Sequence, residues 1–167
     1  MKKIAFIFCL LASSLSLAVN CAYASPEIYS KKQKSEMEQE MYDLGVVDDS
    51  GKYKDIELAG KYFRVIAETT SVSLPVKVNK DIEILSIFVT PYYSNYSYRV
   101  SRSLDDSERV LVASKMLSEE SIAESCRDIF NERVYRVNNH TIELNYMDAD
   151  SKKLVTVTLN NRTCPTQ

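Results

Sequence analysis

Residues 126–164 form the stretch around which the rest of the chain can be interpreted, and they read CRDIFNERVYRVNNHTIELNYMDADSKKLVTVTLNNRTC. Apolar side chains alternate with polar ones over 140–146 and again over 153–159, which is the period of a half-buried strand. Residues 148–151, between the two runs, are typical of a turn, because Asp side chains bond nearby backbone and tolerate unusual φ angles. The stretch therefore predicts an antiparallel hairpin that follows the end of a helix.

Cys126 and Cys164 border this stretch, and they are the only cysteines that remain once a leader peptide is removed. An even pair in an exported chain predicts a disulfide. With Cys126 on the helix and Cys164 just past the last strand, the bridge would tie helix to sheet. On the chain-entropy model, closing such a loop adds about 4 kcal/mol to the free energy of unfolding, a large share for a small domain.

The N-terminal segment 1–24 has the features of a signal peptide. Lys2 and Lys3 form a charged start, residues 4–19 are apolar, and Ala22-Tyr23-Ala24 fits the small-x-small cleavage rule. We therefore expect cleavage after Ala24 and a periplasmic or secreted bacterial protein. No later segment is long enough to span a bilayer, so no integral membrane segment is expected after processing.

Cys21 would be the lipidated residue if this leader belonged to a lipoprotein. Such sites have a small residue before the cysteine, whereas Asn20 stands there. We therefore expect no lipid anchor, and Cys9 and Cys21 leave with the leader.

Removal of the leader leaves residues 25–167, the length of a single domain. Residues 25–54 are predicted to form a polar helix and a linker, and residues 55–167 a disulfide-stapled α+β domain. The N-terminal helix has a thin apolar stripe, with a glycine as its cap: Met37, Met41 and Leu44, then Gly45. Three interpretations stay open: a solvated helix that rests on the domain, an arm that docks on a partner, or a disordered segment.

Charge argues against one class of partner. The whole chain carries 21 basic and 23 acidic side chains. A protein that binds nucleic acid needs a basic face to displace counterions from phosphates. The near balance of charge therefore excludes nucleic acid from the expected partners.

Two further helical segments are predicted. The first spans 55–71, because its first residue is a good N-cap and Pro75 cannot continue the helix. The second spans 106–130, with Asp105 or Asp106 as its N-cap and a break at Ser118, which reads like a fresh helix start. One face of its first half holds three apolar side chains: Val110, Ala113 and Leu117.

Two strands are predicted before the longer helical segment. Residues 82–90 are apolar on both faces, as in a buried strand, and residues 94–101 alternate tyrosines with polar side chains. Together with the hairpin, they predict an α+β fold with an antiparallel sheet of about four strands and helices packed on one face. Short connections favour the order ββαββ. The four strands are expected near 82–90, 94–101, 140–147 and 153–160.

Tyr92 and Tyr93 precede the second strand, in a loop beside Pro91. Tyrosine is enriched at binding hot spots because it offers a large rigid apolar face and one hydroxyl. We therefore predict that Tyr92 and Tyr93 contact a partner, either another protein or an envelope component. Arg99, on the polar face of the strand, would orient an acidic partner. The alternative is that both tyrosines only cover the core.

One order of features runs through most of the chain: Leu74-Pro75, Asn79 and Asp81, a strand, Tyr96-x-Tyr98-Arg99-Val100, a helix ending in Cys126, the alternation from His140 to Asp150, a strand, and Cys164. This order resembles a loose group of small exported bacterial two-cysteine domains without established activity. The resemblance covers Ala59 to Cys164. It implies the fold order and the bridge, and it implies no catalytic residue. Ser151 stands where a turn glycine is usual, which leaves the type of that turn open.

Candidate catalytic groups are few. His140 is the only histidine, and its inward position on a strand favours a structural role. With both cysteines bridged there is no thiolate nucleophile, and no serine stands in a Gly-x-Ser-x-Gly context. The three glycines are not clustered, so no phosphate-binding loop and no cofactor are expected.

A metal site is not expected either. Asp148-x-Asp150-x-Lys152 opens like a calcium-binding loop. Lysines occupy the third ligand position and the glycine position, and no bidentate glutamate follows at the proper distance. The pattern therefore favours a hairpin turn.

The sequence favours a non-catalytic binding module of the periplasm or cell exterior, without separating an inhibitor or immunity factor from an assembly accessory. The alternative is a small hydrolase whose carboxylates converge only in the folded chain. A deep cleft with a buried pair of Asp or Glu would favour the hydrolase. A shallow surface that bears tyrosines would favour the binding module.

Overall fold

The computed structural model of the protein describes residues 35–165. This part of the chain is an α+β fold, as predicted, with five helices and five strands. Their bounds, in chain order, are α1 (Glu36–Asp43), α2 (Ile56–Ser71), β1 (Val76–Lys77), β2 (Ile82–Val89), β3 (Tyr93–Val100), α3 (Asp106–Met116), α4 (Glu119–Asp128), α5 (Arg133–Val137), β4 (Thr141–Met147) and β5 (Lys153–Leu159).

The sheet has five strands in the order β1-β2-β3-β4-β5, one more than predicted. The additional strand, β1, is two residues long and pairs with Glu83 and Ile84 of β2. So short a strand leaves no apolar alternation in the sequence. The other four strands begin and end within one residue of the predicted bounds.

The prediction of an all-antiparallel sheet is wrong at its centre. β3 runs parallel to β4, with Tyr93 beside Thr141 and Arg99 beside Met147, whereas the other neighbouring strands are antiparallel. An antiparallel pair needs only a tight turn between its strands. The connection between β3 and β4 contains three helices, which is the length that a parallel crossover requires.

His140 lies just before β4 and joins the start of β4 to the start of β3. Its ring is fully buried, with Nδ1 2.9 Å from the carbonyl oxygen of Pro91 and Nε2 2.9 Å from the hydroxyl oxygen of Ser94. The backbone N–H of Thr141 then donates to the carbonyl of Tyr92 at 3.0 Å. The chain thus enters β4 at the end of the sheet where β3 also starts, so the two strands run in the same direction.

The helices pack on one face of the sheet, as predicted. This core face carries the buried apolar side chains of three strands, β2, β4 and β5: Ile84, Val89, Ile142, Leu144, Val155, Val157 and Leu159. Two apolar clusters lie against it, one around Phe63 of α2 and one around Phe130, and Tyr135 of α5 contacts both. The register places polar side chains on the opposite face, which we term the outer face: Asn95, Ser97, Arg99, Glu143, Asn145, Thr156 and Thr158.

α1 and the turn after it belong to the same core. Met41, Val46 and Val47 are buried, and all three pack in the Phe63 cluster. Gly45 has a φ of +73° just after the helix, a left-handed conformation that glycine adopts at low cost and that suits its predicted capping role. Leu44, the last residue of the predicted apolar stripe, is exposed, so the buried part of the stripe ends at Met41.

The predicted helix starts are confirmed by their capping contacts. Asp55 accepts hydrogen bonds from two backbone N–H groups in the first turn of α2. Asp105 forms a capping box with Glu108 at the start of α3. Ser118 caps α4, so the helical segment breaks where the sequence indicated.

The turn between β4 and β5 has Ser151 in the left-handed region, with a φ of +63°. The N–H of Ser151 donates to the carbonyl of Asp148 at 3.0 Å, and the Asp148 side chain accepts from the N–H groups of Asp150 and Lys152. The same hydrogen bonds recur in an earlier turn of the chain, where Gly51 has a φ of +81°. Ser151 therefore fills the position that glycine fills in the earlier turn.

Cys126 of α4 and Cys164, beyond β5, form the predicted disulfide, with their Cα atoms 5.4 Å apart. Cys164 is buried in the Phe130 cluster, and Cys126 packs against that cluster from α4. The bridge therefore joins the helical layer to the end of the sheet.

The predicted signal peptide, the lipidation site at Cys21 and the part of the N-terminal helix before Ser35 lie outside the described residues. Within residues 35–165, no helix combines the length and the apolar character needed to cross a membrane. The longest, α2, has 16 residues.

Candidate functional site

Tyr92 and Tyr93 lie on opposite sides of the sheet, at the turn between β2 and β3. Tyr92 is 52% exposed, and its ring packs edge-on against Tyr53 on the helix-covered side, with 5.6 Å between ring centroids. Tyr93 is the first residue of β3, and its side chain lies on the outer face. The two predicted contact residues are therefore neighbours at the end of the sheet, but they do not form one flat patch.

Phe88 lies beside Tyr93 on the outer face, and it was not among the predicted contact residues. Its side chain is 57% exposed, and the two ring centroids are 6.3 Å apart. β2 was expected to be buried on both faces, but its pairing with β3 places Phe88 opposite Asn95, on the polar side. The sequence did contain an indication of this placement. Phe88 stands between Ile87 and Val89, which both pack in the core, so the alternation of a strand places Phe88 on the opposite face.

The aromatic rim, defined as Phe88, Tyr92 and Tyr93, borders a polar cluster on the outer face. The Tyr93 hydroxyl donates to Glu143 at 2.8 Å, and the Asn95 amide donates to the Tyr93 oxygen at 3.0 Å. The Asn95 amide by itself would lower the pKa of Tyr93, but the Glu143 carboxylate and burial raise it above its ordinary value. Tyr93 therefore stays a protonated hydroxyl at neutral pH.

Arg99, the third predicted contact residue, lies at the other end of β3. The strand between them places Arg99 about 20 Å from Tyr93, at roughly 3.3 Å per residue. The guanidinium bonds Glu83 of β2 through Nε at 2.7 Å and Nη2 at 2.6 Å. The structure thus does not bring Arg99 together with the aromatic rim, and Glu83 already neutralises its charge.

A shallow depression adjoins the rim at the start of β4. Its volume is about 330 Å³, and its lining is polar: Asn139, Thr141, Asn160, Asn161 and Arg162. Thr141 links the depression to the rim, because the parallel register sets it beside Tyr93. This end of the sheet therefore combines exposed aromatic rings with hydrogen-bonding groups.

His140 and Ser94 form a pair of the kind found in hydrolases, but both residues are fully buried. A carbonyl oxygen only accepts, so the ring nitrogen beside Pro91, Nδ1, carries the proton, and Nε2 accepts from the Ser94 hydroxyl. The ring stacks on Tyr135, with 4.6 Å between centroids. Burial lowers the pKa of His140, against the opposing effect of the Pro91 carbonyl. A neutral, enclosed histidine fits the predicted structural role.

Two carboxylates converge where α1 meets α5. Glu38 is buried and accepts from Nε of Arg133 at 3.0 Å, and Glu132 accepts a hydrogen bond from Ser35. Burial raises the pKa of Glu132, the Ser35 hydroxyl lowers it, and the nearby Glu38 raises it again, so the net shift is upward. Arg133 neutralises Glu38, and these contacts hold α1 against α5. The cluster therefore has a structural role.

Within residues 35–165, no group of three or more His, Cys, Asp or Glu is placed to hold a metal ion. Asp148, the first acid of the calcium-like sequence, is buried, and its Oδ2 lies 3.9 Å from Nη1 of Arg109. Burial by itself would raise the pKa of Asp148. The N–H groups of Lys152 and Asp150 and the Arg109 guanidinium hold that pKa below its ordinary value. Asp148 is therefore a turn carboxylate with an arginine beside it.

No protein-family model matches the chain, and no curated protein matches it. Among solved structures, the chain is similar to a candidate secreted protein of Pseudomonas aeruginosa, with 16% identity, a TM-score of 0.47, and coverage of 65% of this chain and 95% of that one. It is similar to the pilotin of the type 2 secretion system of Vibrio vulnificus, with 10% identity, a TM-score of 0.46, and coverage of 67% and 96%. It is also similar to the type II secretion system pilotin of Vibrio cholerae, with 11% identity, a TM-score of 0.42, and coverage of 78% and 100%. At TM-scores below 0.5 these likenesses have no weight for function.

Proposed function

We propose that this protein is an exported, non-catalytic binding module that contacts another protein or an envelope component through the aromatic rim. One observation carries the proposal: Phe88 and Tyr92 each keep more than half of their surface exposed at the end of a rigid sheet. Exposed aromatic rings offer apolar area that a partner can bury, and each ring has only two side-chain torsions to immobilise.

The rim is held in place by contacts that leave part of each ring free. Tyr92 packs edge-on against Tyr53, whose hydroxyl donates to the carbonyl of Pro91 at 2.7 Å. Tyr93 is fixed through its hydroxyl by Glu143. A partner would meet side chains that are already arranged, so binding would cost little conformational entropy.

Polar groups border the rim on the side of β4. The cluster at Glu143 and the depression at Thr141 both lie along that strand, beside Asn95 and Tyr93 of β3. Interfaces tend to have aromatic anchors near their centre and hydrogen-bonding groups around them. The surroundings therefore favour a partner that combines apolar and polar contacts.

Two features support export. The signal-like sequence of residues 1–24 predicts secretion. The bridge between Cys126 and Cys164 is of the kind that persists in an oxidising compartment. The periplasm or the cell exterior is therefore the proposed location.

The hydrolase alternative gains no support from the placement of the ionisable groups. A general base must come within hydrogen-bonding reach of its substrate. His140 and Ser94 have no exposed surface, and buried Glu38 is neutralised by Arg133. These groups stabilise the fold, which leaves the binding surface as the functional candidate.

Photo-crosslinking in the producing bacterium tests the contact surface. Phe88 is replaced by benzoylphenylalanine, which is itself aromatic, and the crosslinked products are identified by mass spectrometry. The matched control carries the same residue at Val65, an exposed apolar position of α2. We expect a defined crosslinked partner from position 88 and none from position 65.

A double substitution sharpens this test. Tyr92→Ala with Tyr93→Ala, in the chain that carries the crosslinker at position 88, should lower the yield of the crosslink several-fold. Circular dichroism establishes that the variant folds. The proposal is contradicted if positions 88 and 65 give the same products, or if a folded double variant crosslinks as well as the unsubstituted chain.

A further inference from the structure

In the depression beside the aromatic rim, most of the side-chain hydrogen-bonding groups that remain unused are donors. Its lining residues are Asn139, Thr141, Asn160, Asn161 and Arg162. The contacts that these side chains already make fix the orientation of each amide. The groups that remain for a ligand follow from those orientations.

Asn160 is left with a free NH₂ group. Its Oδ1 accepts from the backbone N–H groups of Arg162 at 2.8 Å and Thr163 at 3.2 Å. A backbone N–H can only donate, so the amide oxygen must face these two groups. Nδ2 of Asn160 then has no hydrogen-bond partner within residues 35–165.

Asn161 and Asn139 are oriented by the same reasoning. Nδ2 of Asn161 donates to the carbonyl of Arg136 at 2.8 Å and to Oδ1 of Asn139 at 3.0 Å. The carbonyl of Arg136 can only accept, so the atom of Asn161 that faces it is the amide nitrogen. Asn139 must then point its amide oxygen toward that nitrogen. Among the residues that the structure describes, the atoms left unused are Nδ2 of Asn139, a donor, and Oδ1 of Asn161, an acceptor.

Arg162 adds a positive charge to this donor-rich set. Its guanidinium forms no ion pair with any residue of the described chain, and the hydroxyl of Thr141 is likewise unused. The nearest acid along β4 is Glu143, two residues beyond Thr141. Its Oε2 is engaged by Tyr93 at 2.8 Å and by Asn95 at 3.4 Å, on the outer face.

We propose that the depression binds a carboxylate, and that this carboxylate belongs to an acidic segment of the polypeptide that the aromatic rim contacts. The inference rests on the proposed function. Several N–H donors around a guanidinium match the acceptor oxygens and the charge of a carboxylate, and such charge-assisted bonds are the strong ones. The acceptor on Asn161 is free to receive a backbone N–H of the same segment.

The shape of the rim favours a polypeptide over an acidic polysaccharide. Sugar rings stack best on a flat aromatic platform. The rings of Phe88 and Tyr93 are inclined by 54° to each other, and Tyr92 lies on the other side of the sheet. Side chains of a peptide fit between inclined rings, so a segment with acidic and apolar residues is the better match.

Side-chain NH₂ signals in ¹⁵N-correlated NMR spectra test the site directly. The probe is the peptide acetyl-Glu-Asp-Phe-Glu-amide, and its control, acetyl-Gln-Asn-Phe-Gln-amide, has the same shape without the carboxylates. We expect the acidic peptide to shift the NH₂ signals of Asn139 and Asn160 in a saturable manner. The control peptide should leave them unchanged.

Asn160→Asp separates binding from folding. Aspartate keeps the oxygen that accepts from Arg162 and Thr163, and it replaces the free donor by a negative charge. Affinity for the acidic peptide should fall at least tenfold in this variant and also in Arg162→Gln. Lys152→Gln removes the same charge at the other end of β5 and should leave the affinity within twofold.

Equal shifts from the two peptides, the absence of any saturable shift, or an equal loss in Lys152→Gln would overturn the carboxylate site. A uronic-acid oligomer that binds more tightly than the acidic peptide would overturn the assignment to a polypeptide. Either failure leaves the proposed function intact if the crosslink at position 88 is found, because that crosslink does not depend on the depression.

Discussion

Both faces of the sheet carry aromatic rings, but the two faces use them differently. On the core face, Tyr98 of β3 stacks on Tyr146 of β4 with 4.8 Å between centroids, and burial raises the pKa of Tyr146 to about 12. On the outer face, Phe88 is more than half exposed, and Tyr93 is fixed mainly through its hydroxyl, by Glu143. Tyr98 and Tyr146 are half-buried against each other, whereas the ring of Phe88 is open to solvent.

Alternation alone therefore does not assign a role to a side chain. The period of a strand separates its residues into two faces, but it does not state which face is buried. Where one face is enclosed and the other is open, stability and binding should respond to different residues. Matched substitutions on the two faces therefore test whether the faces have different roles.

Leu144→Ala, on the core face, is expected to have the largest effect. Leu144 is completely buried in β4, and truncation of a buried leucine lowers the free energy of unfolding by about 2–5 kcal/mol. Its neighbour on the outer face, Asn145, loses only a hydrogen bond from Thr156 when replaced by alanine, which costs about 1 kcal/mol or less. Urea denaturation of both variants measures the difference. Equal losses would show that the two faces are not distinct in stability.

Opening the disulfide is the next largest change. Cys126→Ala together with Cys164→Ala frees α4 from the end of the sheet and should lower the free energy of unfolding by about 2–4 kcal/mol. Because the bridge lies on the helical side, the folded variant should keep its crosslink at position 88. Intact mass after alkylation without reduction should reveal no free thiol in the unsubstituted protein. Uptake of the reagent would contradict the pairing.

His140 should give the core face a dependence on pH that the outer face lacks. Its folded-state pKa lies below the ordinary value, so the unfolded state takes up the proton more readily. The stability from neutral His140 is complete above its unfolded pKa, near 6.5, and is lost as the pH falls toward the lowered folded-state pKa, by at most about 1.4 kcal/mol per pH unit. Urea midpoints above and below pH 6.5 measure this slope. His140→Gln should remove it, and an unchanged slope in that variant would assign it to other groups.

Much of the fold followed from short patterns, because those features depend on a few neighbouring residues. The cap at Asp105, the break at Ser118 and the ends of the strands are of this kind. The direction of β4 is different, because it depends on contacts of His140 with Ser94 and Pro91, which are 46 and 49 residues away. No local pattern in the sequence contains that information.

Local sequence patterns also could not predict which apolar helix faces are buried. Val110 and Leu117 share a helical face with Ala113, yet they are 70% and 50% exposed. α3 meets the core through another side, where Met116 packs in the Phe130 cluster and Arg109 lies beside the buried Asp148. The neighbours of a helix decide which of its faces is covered, and they come from distant parts of the chain.

The candidate site was predictable only where its residues are adjacent in sequence. Tyr92 and Tyr93 could be named from composition and from the turn beside Pro91. Phe88 joins them through the antiparallel register of β2 and β3, and Thr141 joins them through the parallel register of β3 and β4. Arg99 was grouped with them for its charge on the polar face of the strand that follows, but the length of that strand places it too far away.

One measurement tests most directly whether the outer face serves binding while the core face serves stability. Phe88→Thr removes the exposed ring and keeps a residue that suits a strand. Its affinity for the partner identified by crosslinking and its free energy of unfolding are measured on the same preparation. We expect the affinity to fall at least tenfold, while the free energy of unfolding changes by less than about 0.5 kcal/mol, as at exposed positions generally. An unchanged affinity together with a loss of stability of about 2 kcal/mol or more would contradict this division of roles between the two faces, because Phe88 would then belong to the core.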